Sequence, residues 1–123
     1  MPATDLDTAQ QFQTTAQDGM RTGDFAPLVV ILAPDVEVVM PQHTVRGPDA
    51  AVEELSRARP SERFELEFED DGWKELGNGR YALEIRIHFR STVSDELSYS
   101  RDRSFDLTIS DGQVSRLEMR FAG

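Results

Sequence analysis

The sequence contains no cysteine, one lysine and two histidines among its 123 residues. The absence of cysteine excludes disulfide bonds, thiolate nucleophiles, cysteine-bound zinc and iron–sulfur clusters. Lys74 is the single side-chain amine that Schiff-base chemistry could use. The two histidines, His43 and His88, are too few for a three-histidine metal site. We therefore expect neither a metal ion nor a cofactor.

Long apolar runs are also missing from the chain. The longest, Leu28 to Ala33, is far shorter than the roughly 20 residues that a membrane-spanning helix needs. The N-terminus has no basic segment followed by an apolar stretch, which is the pattern of a signal peptide. We therefore expect a cytoplasmic protein that does not use a membrane as a partner.

Basic residues are fewer than acidic ones. The sequence has 13 basic and 23 acidic residues, which gives a net charge of −10. A chain with this charge is repelled by nucleic acid and by anionic membrane surfaces, so we expect neither as a partner. The acidic excess lies in the first 71 residues, since the signs balance from Arg80 to the end of the chain. Twelve of the basic residues are arginines, so nearly all of the positive charge is carried by arginine side chains.

Helical signals occupy the first half of the chain. Thr4 is a suitable N-cap for a first helix, whose apolar residues recur at helical spacing until Gly23 ends it. Asp24 is the expected cap of a short second helix that Pro34 ends. Pro48 fits the first position of a third helix.

Strand signals follow the last helix. Phe64, Leu66 and Phe68 alternate with glutamates, which is the period of a half-buried strand. Asn78-Gly79 and Asp111-Gly112 are typical two-residue hairpin turns. Helices first and a hairpin-linked antiparallel sheet afterwards indicate an α+β fold. We expect a single domain over residues 1–123.

The order of these elements resembles a known superfamily. The second helix begins with Gly-Asp-Phe at residues 23–25, the first strand with Leu-Ala-Pro-Asp-Val at 32–36, and the third helix with Gly-Pro-Asp-Ala at 47–50. In this order and spacing the motifs resemble the nuclear transport factor 2-like (NTF2-like) superfamily, in its SnoaL-like branch, over nearly the whole chain.

The resemblance implies a cone-shaped α+β barrel, in which N-terminal helices pack on a curved, mostly antiparallel sheet and leave an apolar internal pocket. It implies no single activity, because the superfamily includes isomerases, dehydratases, epoxide hydrolases, polyketide cyclases, transport factors and subunits without catalysis. It also implies a homodimer formed through the charged outer face of the sheet.

No catalytic set of the superfamily is complete in this sequence. Ketosteroid isomerases carry a general-base aspartate at the end of the first strand, where this chain has Val39 or Met40. Epoxide hydrolases surround an arginine with two inward aspartates, and no such pair is visible. Polyketide cyclases pair an aspartate with a histidine, but Asp102 is out of phase with the pocket.

Two arginines stand on the apolar face of the long strand. Alternation over residues 97–109 places Arg101 and Arg103 on the same side as Tyr99 and Phe105. A guanidinium on a core face needs a partner. A β-bulge or the strand end would put both arginines in water. Otherwise a protein carboxylate pairs with them, or an anionic ligand does.

Candidate site residues follow from these positions. His43 is in a loop that borders the pocket in the superfamily and is the candidate general acid or base, with Tyr99 or Arg103 stabilising a developing oxyanion. The candidate ligand-binding residues are Met40, Trp73, Tyr81, Arg101 and Met119. Simple exposure of a loop histidine, and core packing of the others, are the competing interpretations. His88 is out of phase and is expected outside.

The sequence thus favours a protein that binds a hydrophobic small molecule, either neutral or anionic, in an apolar pocket without a complete catalytic set. The alternative is an isomerase, dehydratase or cyclase that acts by general acid–base chemistry on a polyketide, steroid-like or terpenoid intermediate. The sequence alone does not decide whether the protein is an enzyme. A homodimer is expected in either case.

Overall fold

The computed structural model describes residues 4–57 and 63–121. In these ranges the α-helices are α1 (Asp5–Thr22) and α2 (Pro48–Arg57), and short 3-10 helices span Ala26–Val30 and Asp95–Leu97. The strands are β1 (Leu32–Val39), β2 (Thr44–Arg46), β3 (Phe64–Asp70), β4 (Lys74–Gly77), β5 (Arg80–Ser91), β6 (Tyr99–Ser110) and β7 (Gln113–Phe121). Neither helix in this part of the chain has the length and apolar character needed to cross a membrane.

The strands form one mixed, curved sheet in the order β2-β1-β7-β6-β5-β3, with β4 paired to the other part of the β5 edge. Neighbouring strands are antiparallel except β1 and β7, which run parallel. The helices pack on one face of the sheet, and the sheet does not close on itself. The predicted α+β class, with N-terminal helices on a curved and mostly antiparallel sheet, is confirmed.

The first helix has the predicted ends. The Thr4 side chain accepts a hydrogen bond from the Asp7 amide, and the Asp7 carboxylate accepts one from the Thr4 amide, each over 3.1 Å. This reciprocal capping satisfies two of the free amides at the helix start. Gly23 ends the helix with φ 87°, a conformation that glycine adopts without a steric penalty. Ala9 and Phe12 are the buried apolar residues of this helix.

The second helix differs from the prediction. Asp24 does accept a hydrogen bond from the Ala26 amide, but the helix is a 3-10 turn that ends at Val30. Pro34 lies inside β1 instead of terminating a helix. The pairing of β1 with β7 shifts between Leu32 and Glu37, so the proline falls in an irregular segment where the ladder does not need its missing N–H.

Both predicted hairpin turns are present. Asn78 and Gly79 have φ of 56° and 74°, and Asp111 and Gly112 have φ of 53° and 76°. Two consecutive positive φ values match the right-handed twist of the strands on either side. The first turn joins β4 to β5, and the second joins β6 to β7.

The buried apolar side chains form two clusters. One includes Phe12, Leu28 and Leu117, and the other consists of four alternate residues of β5, namely Leu83, Ile85, Ile87 and Phe89. Met20, Trp73 and Phe105 are partly buried and pack against both clusters. The two clusters are therefore joined by these three side chains and are not merged into one solid core.

Two glycines with nearly the same backbone conformation allow a test of the Asn78-Gly79 turn. A Cβ at Gly79 would lie 2.5 Å from the Ile109 carbonyl oxygen, whereas a Cβ at Gly112 would meet nothing within 4 Å. We expect Gly112→Ala to cost about 1 kcal/mol of stability from backbone strain, and Gly79→Ala to cost about 1–3 kcal/mol more from the clash. Urea denaturation of both variants measures the difference, and equal losses would show that the close approach is unimportant.

Candidate functional site

A cavity of about 430 Å³ lies between the helices and the inner face of the sheet. Its volume is within the range of pockets that hold small organic molecules. It is lined by side chains of α1, α2, β3, β5, β6 and β7, together with Phe25, Met40 and Trp73. Because these elements are far apart in the sequence, the cavity exists only after the sheet and both helices have packed.

The sheet contributes the apolar part of the wall. Alternate residues of β5 face inward from Leu83 to Phe89, and Phe68, Phe105 and Met119 extend this surface onto neighbouring strands. Each of these side chains points inward because strand residues two apart share a face. A ligand in contact with this wall would bury apolar surface and lose few hydrogen bonds to water.

The first helix contributes polar side chains as well as apolar ones. Its cavity-lining residues recur at i, i+4 and i+8, and they are Phe12, Gln13, Ala16, Gln17 and Met20. The Gln13 side-chain amide donates a 2.9 Å hydrogen bond to Asp70 at the end of β3. The helix is thereby tied to the segment that leads into Trp73.

Two nitrogen atoms in this wall lack a partner. Among the described residues, the side-chain amide nitrogen of Gln17 and the indole nitrogen of Trp73 are buried without any hydrogen-bond acceptor. Buried polar groups are almost always paired, so an unpaired donor in a cavity wall calls for an explanation. Both residues line the cavity.

The second helix places a carboxylate at the cavity. Glu54 is only 8% exposed and lines the cavity together with Leu55 and Arg57. Its carboxylate is held on two sides, by His43 Nε2 at 3.1 Å and by Arg57 Nη1 at 3.0 Å. Arg57 also reaches Glu53 at 2.6 Å. The buried carboxylate is therefore compensated by hydrogen bonds and by charge.

His43 takes its position from the turn between β1 and β2. The Met40 amide donates a 2.8 Å hydrogen bond to the His43 carbonyl, which closes the loop. The imidazole is half exposed and does not line the cavity itself. It adjoins the cavity through Glu54, so these two side chains form the one acid–base pair that reaches the wall in the described part of the chain.

The two arginines of the long strand have different environments. The register from Tyr99 to Ser104 is unbroken, so no bulge turns either arginine away from the inner side. Arg101 is nevertheless exposed near the strand start, with its guanidinium 4.8 Å from the centre of the Tyr99 ring. Arg103 is half buried, lines the cavity and donates a 2.9 Å hydrogen bond to the Asp102 carbonyl.

Burial lowers the pKa of Arg103, and the positive charge of Arg101 lowers it further. A guanidinium remains protonated at neutral pH despite such a decrease. Arg103 thus supplies a permanent positive charge at the cavity wall. Arg101 is thus exposed, whereas Arg103 lines the cavity, and contact of Arg103 with a ligand stays a prediction.

Neither tyrosine of the candidate set lines the cavity. Tyr99 is 39% exposed, and its ring stacks on Phe89 with 4.6 Å between ring centres. Tyr81 is buried in the core, where burial, and after it the charge of Glu75, raises the pKa of its phenol. The phenol therefore stays protonated at neutral pH, and the ring acts as a packing residue.

Of the eight candidate residues, Met40, Trp73, Arg103 and Met119 line the cavity. His43 is next to it through Glu54, and Tyr81, Tyr99 and Arg101 lie elsewhere. Their roles in binding or catalysis remain predictions. The sequence reasoning missed Gln13, Gln17, Glu54 and Arg57. A signal for three of them was present, because Gln13, Gln17 and Glu54 are polar residues at the helical spacing of the apolar faces of their helices.

The outer face of the sheet carries paired charges. Arg86 and Asp102 form a salt bridge of 2.8 Å, and the Arg86 hydrogen bond lowers the pKa of Asp102. His88 lies on this face, as predicted, between Ser100 at 2.7 Å and Glu69 at 2.9 Å. Within residues 4–57 and 63–121, no three histidine, aspartate or glutamate side chains are grouped as a metal ion would require.

Comparison with solved structures identifies similar folds. An NTF2-like protein from Anabaena variabilis ATCC 29413 is 15% identical, with a TM-score of 0.74 over 100% of this chain and 94% of that chain. An NTF2-like protein of unknown function from Exiguobacterium sp. 255-15 is 12% identical, with a TM-score of 0.71 over 94% of this chain and 98% of the other.

A third similar structure is that of TerC, co-crystallised with polyporic acid. It is 20% identical, with a TM-score of 0.66 over 94% of this chain and 92% of that chain. No protein-family model matches the sequence, and no curated protein sequence is significantly similar to it. The likeness at these identities is one of fold, and the chain has the fold of the NTF2-like superfamily.

Proposed function

We propose that the protein binds an apolar small molecule in the cavity between α1 and the inner face of the sheet. The observation that carries the proposal is the cavity itself, which is about 430 Å³ in volume and has a predominantly apolar wall. A few polar side chains in that wall, Gln17, Glu54 and Arg103 among them, provide the fixed contacts that orient a ligand.

We further propose that the protein is a binding protein of the SnoaL-like type. The motifs at residues 23–25, 32–36 and 47–50 support this assignment. The fold shared with TerC, which was co-crystallised with polyporic acid, supports an organic ligand in such a fold. Because no catalytic set of the superfamily is complete in this sequence, binding without catalysis is the preferred hypothesis.

Filling the cavity should abolish binding. Ala16 lines the cavity, whereas Thr14 on the same helix is exposed. In a thermal-shift screen of steroids, polyketides and hydrophobic carboxylates, a ligand at about 100 times its Kd stabilises the wild-type protein by about 2.7 kcal/mol. We expect Ala16→Phe to lose this stabilisation, because the new ring occupies the ligand's space.

Thr14→Phe is the matched control, since it adds the same ring on the solvent side and should keep the wild-type shift. If no compound in the screen stabilises the wild-type protein, the binding proposal fails. If Ala16→Phe and Thr14→Phe respond alike, the ligand binds somewhere other than this cavity.

A second candidate function, proton transfer on a bound ketone, is favoured by the His43–Glu54 contact. Glu54 reaches the cavity wall, and His43 connects it to solvent over a 3.1 Å contact. A carboxylate at a ligand and an imidazole in water can together take up a proton and release it, which general acid–base catalysis requires. An isomerase, dehydratase or cyclase acting on a polyketide, steroid-like or terpenoid intermediate would use such a pair.

Deuterium exchange tests this candidate. Cyclic ketones incubated with the protein in D₂O should exchange the hydrogens next to the carbonyl faster than in buffer, because the base removes a proton and solvent returns a deuteron. We expect Glu54→Gln to reduce the rate by about 10²–10⁴-fold. Proton NMR measures the exchange, and Asp49→Asn, at an exposed position of α2, is the control. Equal rates with and without protein would exclude proton transfer on these ketones.

We also propose that the protein is a cytoplasmic homodimer that associates through the outer face of the sheet. Ion pairs such as Arg90–Glu67 and Arg120–Asp106 cover this face with alternating charges, an arrangement that a second copy could complement. Light scattering coupled to gel filtration should give twice the chain mass of 13.9 kDa. A monomer at high protein concentration would contradict the dimer.

A further inference from the structure

The unpaired donors in the cavity wall indicate what kind of ligand the cavity accepts. We infer that the ligand presents an uncharged oxygen acceptor of the carbonyl type to the side-chain amide of Gln17 and the indole N–H of Trp73. This inference rests on the proposed binding function and specifies the polar end of the ligand. Both nitrogens are buried, line the cavity and have no acceptor among the described residues.

The requirement for an acceptor follows from burial. A donor that leaves water loses its hydrogen bonds to solvent, and the loss is recovered only when another acceptor takes their place. Most of the surrounding wall consists of Met, Phe, Leu and Ile side chains, which accept no hydrogen bond, and its possible acceptors, Gln13 and Glu54, are not bonded to either nitrogen. The oxygen of a ligand bound in the cavity would supply this acceptor in place of water.

A contact between the helix and the sheet fixes the two segments that carry the donors. Gln13 donates to Asp70, which fixes α1 against the end of β3. Gln17 follows Gln13 by one helical turn, and Trp73 follows Asp70 by three residues. Of the two glutamines in this wall, Gln13 has its amide bonded to Asp70, and Gln17 has an unpaired amide nitrogen.

The charges around the cavity favour a neutral oxygen over a carboxylate. Both unpaired donors are uncharged, and the Glu54 carboxylate lies in the same wall. The charge of Arg57 is already taken up by Glu53 and Glu54. A buried ligand carboxylate would be repelled by Glu54 and would lose more hydration than a carbonyl loses. Arg103 is the cavity group that would favour an anion, so an anionic probe belongs in the test.

Three matched probes separate these cases. Fluorene, 9-fluorenone and fluorene-9-carboxylate share one rigid three-ring frame and differ at a single carbon, which bears no oxygen, a carbonyl or a carboxylate. Isothermal titration calorimetry on the wild-type protein should give a Kd for fluorenone roughly tenfold lower than that for fluorene, since one or two hydrogen bonds are gained. The carboxylate should bind more weakly than fluorenone.

Substitutions of the two donor residues test whether they cause the preference for fluorenone over fluorene. Gln17→Met and Trp73→Phe each remove a donor and put an apolar side chain of related shape in its place. Each should reduce the preference for fluorenone over fluorene several-fold, and both together should abolish it. Gln11→Met is the matched control, because Gln11 is exposed on the same helix and does not line the cavity, and it should keep the wild-type ratio of the two Kd values.

The wild-type protein also provides a direct readout that does not depend on the folding of a variant. Trp73 is the one tryptophan in the sequence, so its indole N–H gives a single signal in a ¹H–¹⁵N correlation spectrum. Fluorenone should move the indole proton downfield and slow its exchange with solvent, as a new hydrogen bond would. Fluorene should not slow that exchange.

The results distinguish a failure of the carbonyl inference from a failure of the proposed binding function. If fluorene and fluorenone bind equally, the cavity binds apolar molecules but the carbonyl inference is wrong. If the carboxylate binds most tightly, the inference is overturned in favour of an anion held by Arg103. If none of the three probes binds, the proposed binding function fails together with the inference. An indole signal that fluorenone leaves unchanged also overturns the inference.

Discussion

The rest of the structure depends on the burial of the inner face of β5. Five alternate residues of this strand, Tyr81, Leu83, Ile85, Ile87 and Phe89, are at most 6% exposed. So much apolar surface is stable only when other elements remove it from water. The neighbouring strands extend the same face, and α1 packs against the part of it formed by β6 and β7, so the sheet and the helix bury their apolar sides against each other.

The cavity results because one helix covers a curved sheet incompletely. Side chains that bridge the two apolar clusters, Met20, Trp73 and Phe105, fill part of the space between them and leave room for a ligand. Polar groups then enter at particular places. Gln17 and Trp73 bring donors, whereas Glu54 brings an acceptor that His43 and Arg57 hold in place. If the protein binds a ligand here as proposed, a small number of polar side chains in an apolar wall determine which ligand it is.

Local signals in the sequence predicted the elements that local physics determines. The Thr4 cap, the Gly23 end of α1 and the turns at Asn78-Gly79 and Asp111-Gly112 depend on nearby backbone geometry, and all were found. Pro34 was misplaced because a proline also fits an irregular strand segment, and only the pairing of β1 with β7 selects that option. Strand parity gave the correct side for Arg103, but parity does not tell how far a side chain is from the strand end, and Arg101 is exposed for that reason.

The sequence by itself determined the α+β class, the order of the elements, the faces of the strands and the absence of cysteine chemistry, because periodicity, turn residues and composition act over short distances. The tertiary structure decided which polar residues share one cavity. Gln17, Glu54, Trp73 and Arg103 are separated by up to 86 residues, and no spacing rule connects them. They meet because α1, α2 and the sheet must all bury their apolar faces against the same space.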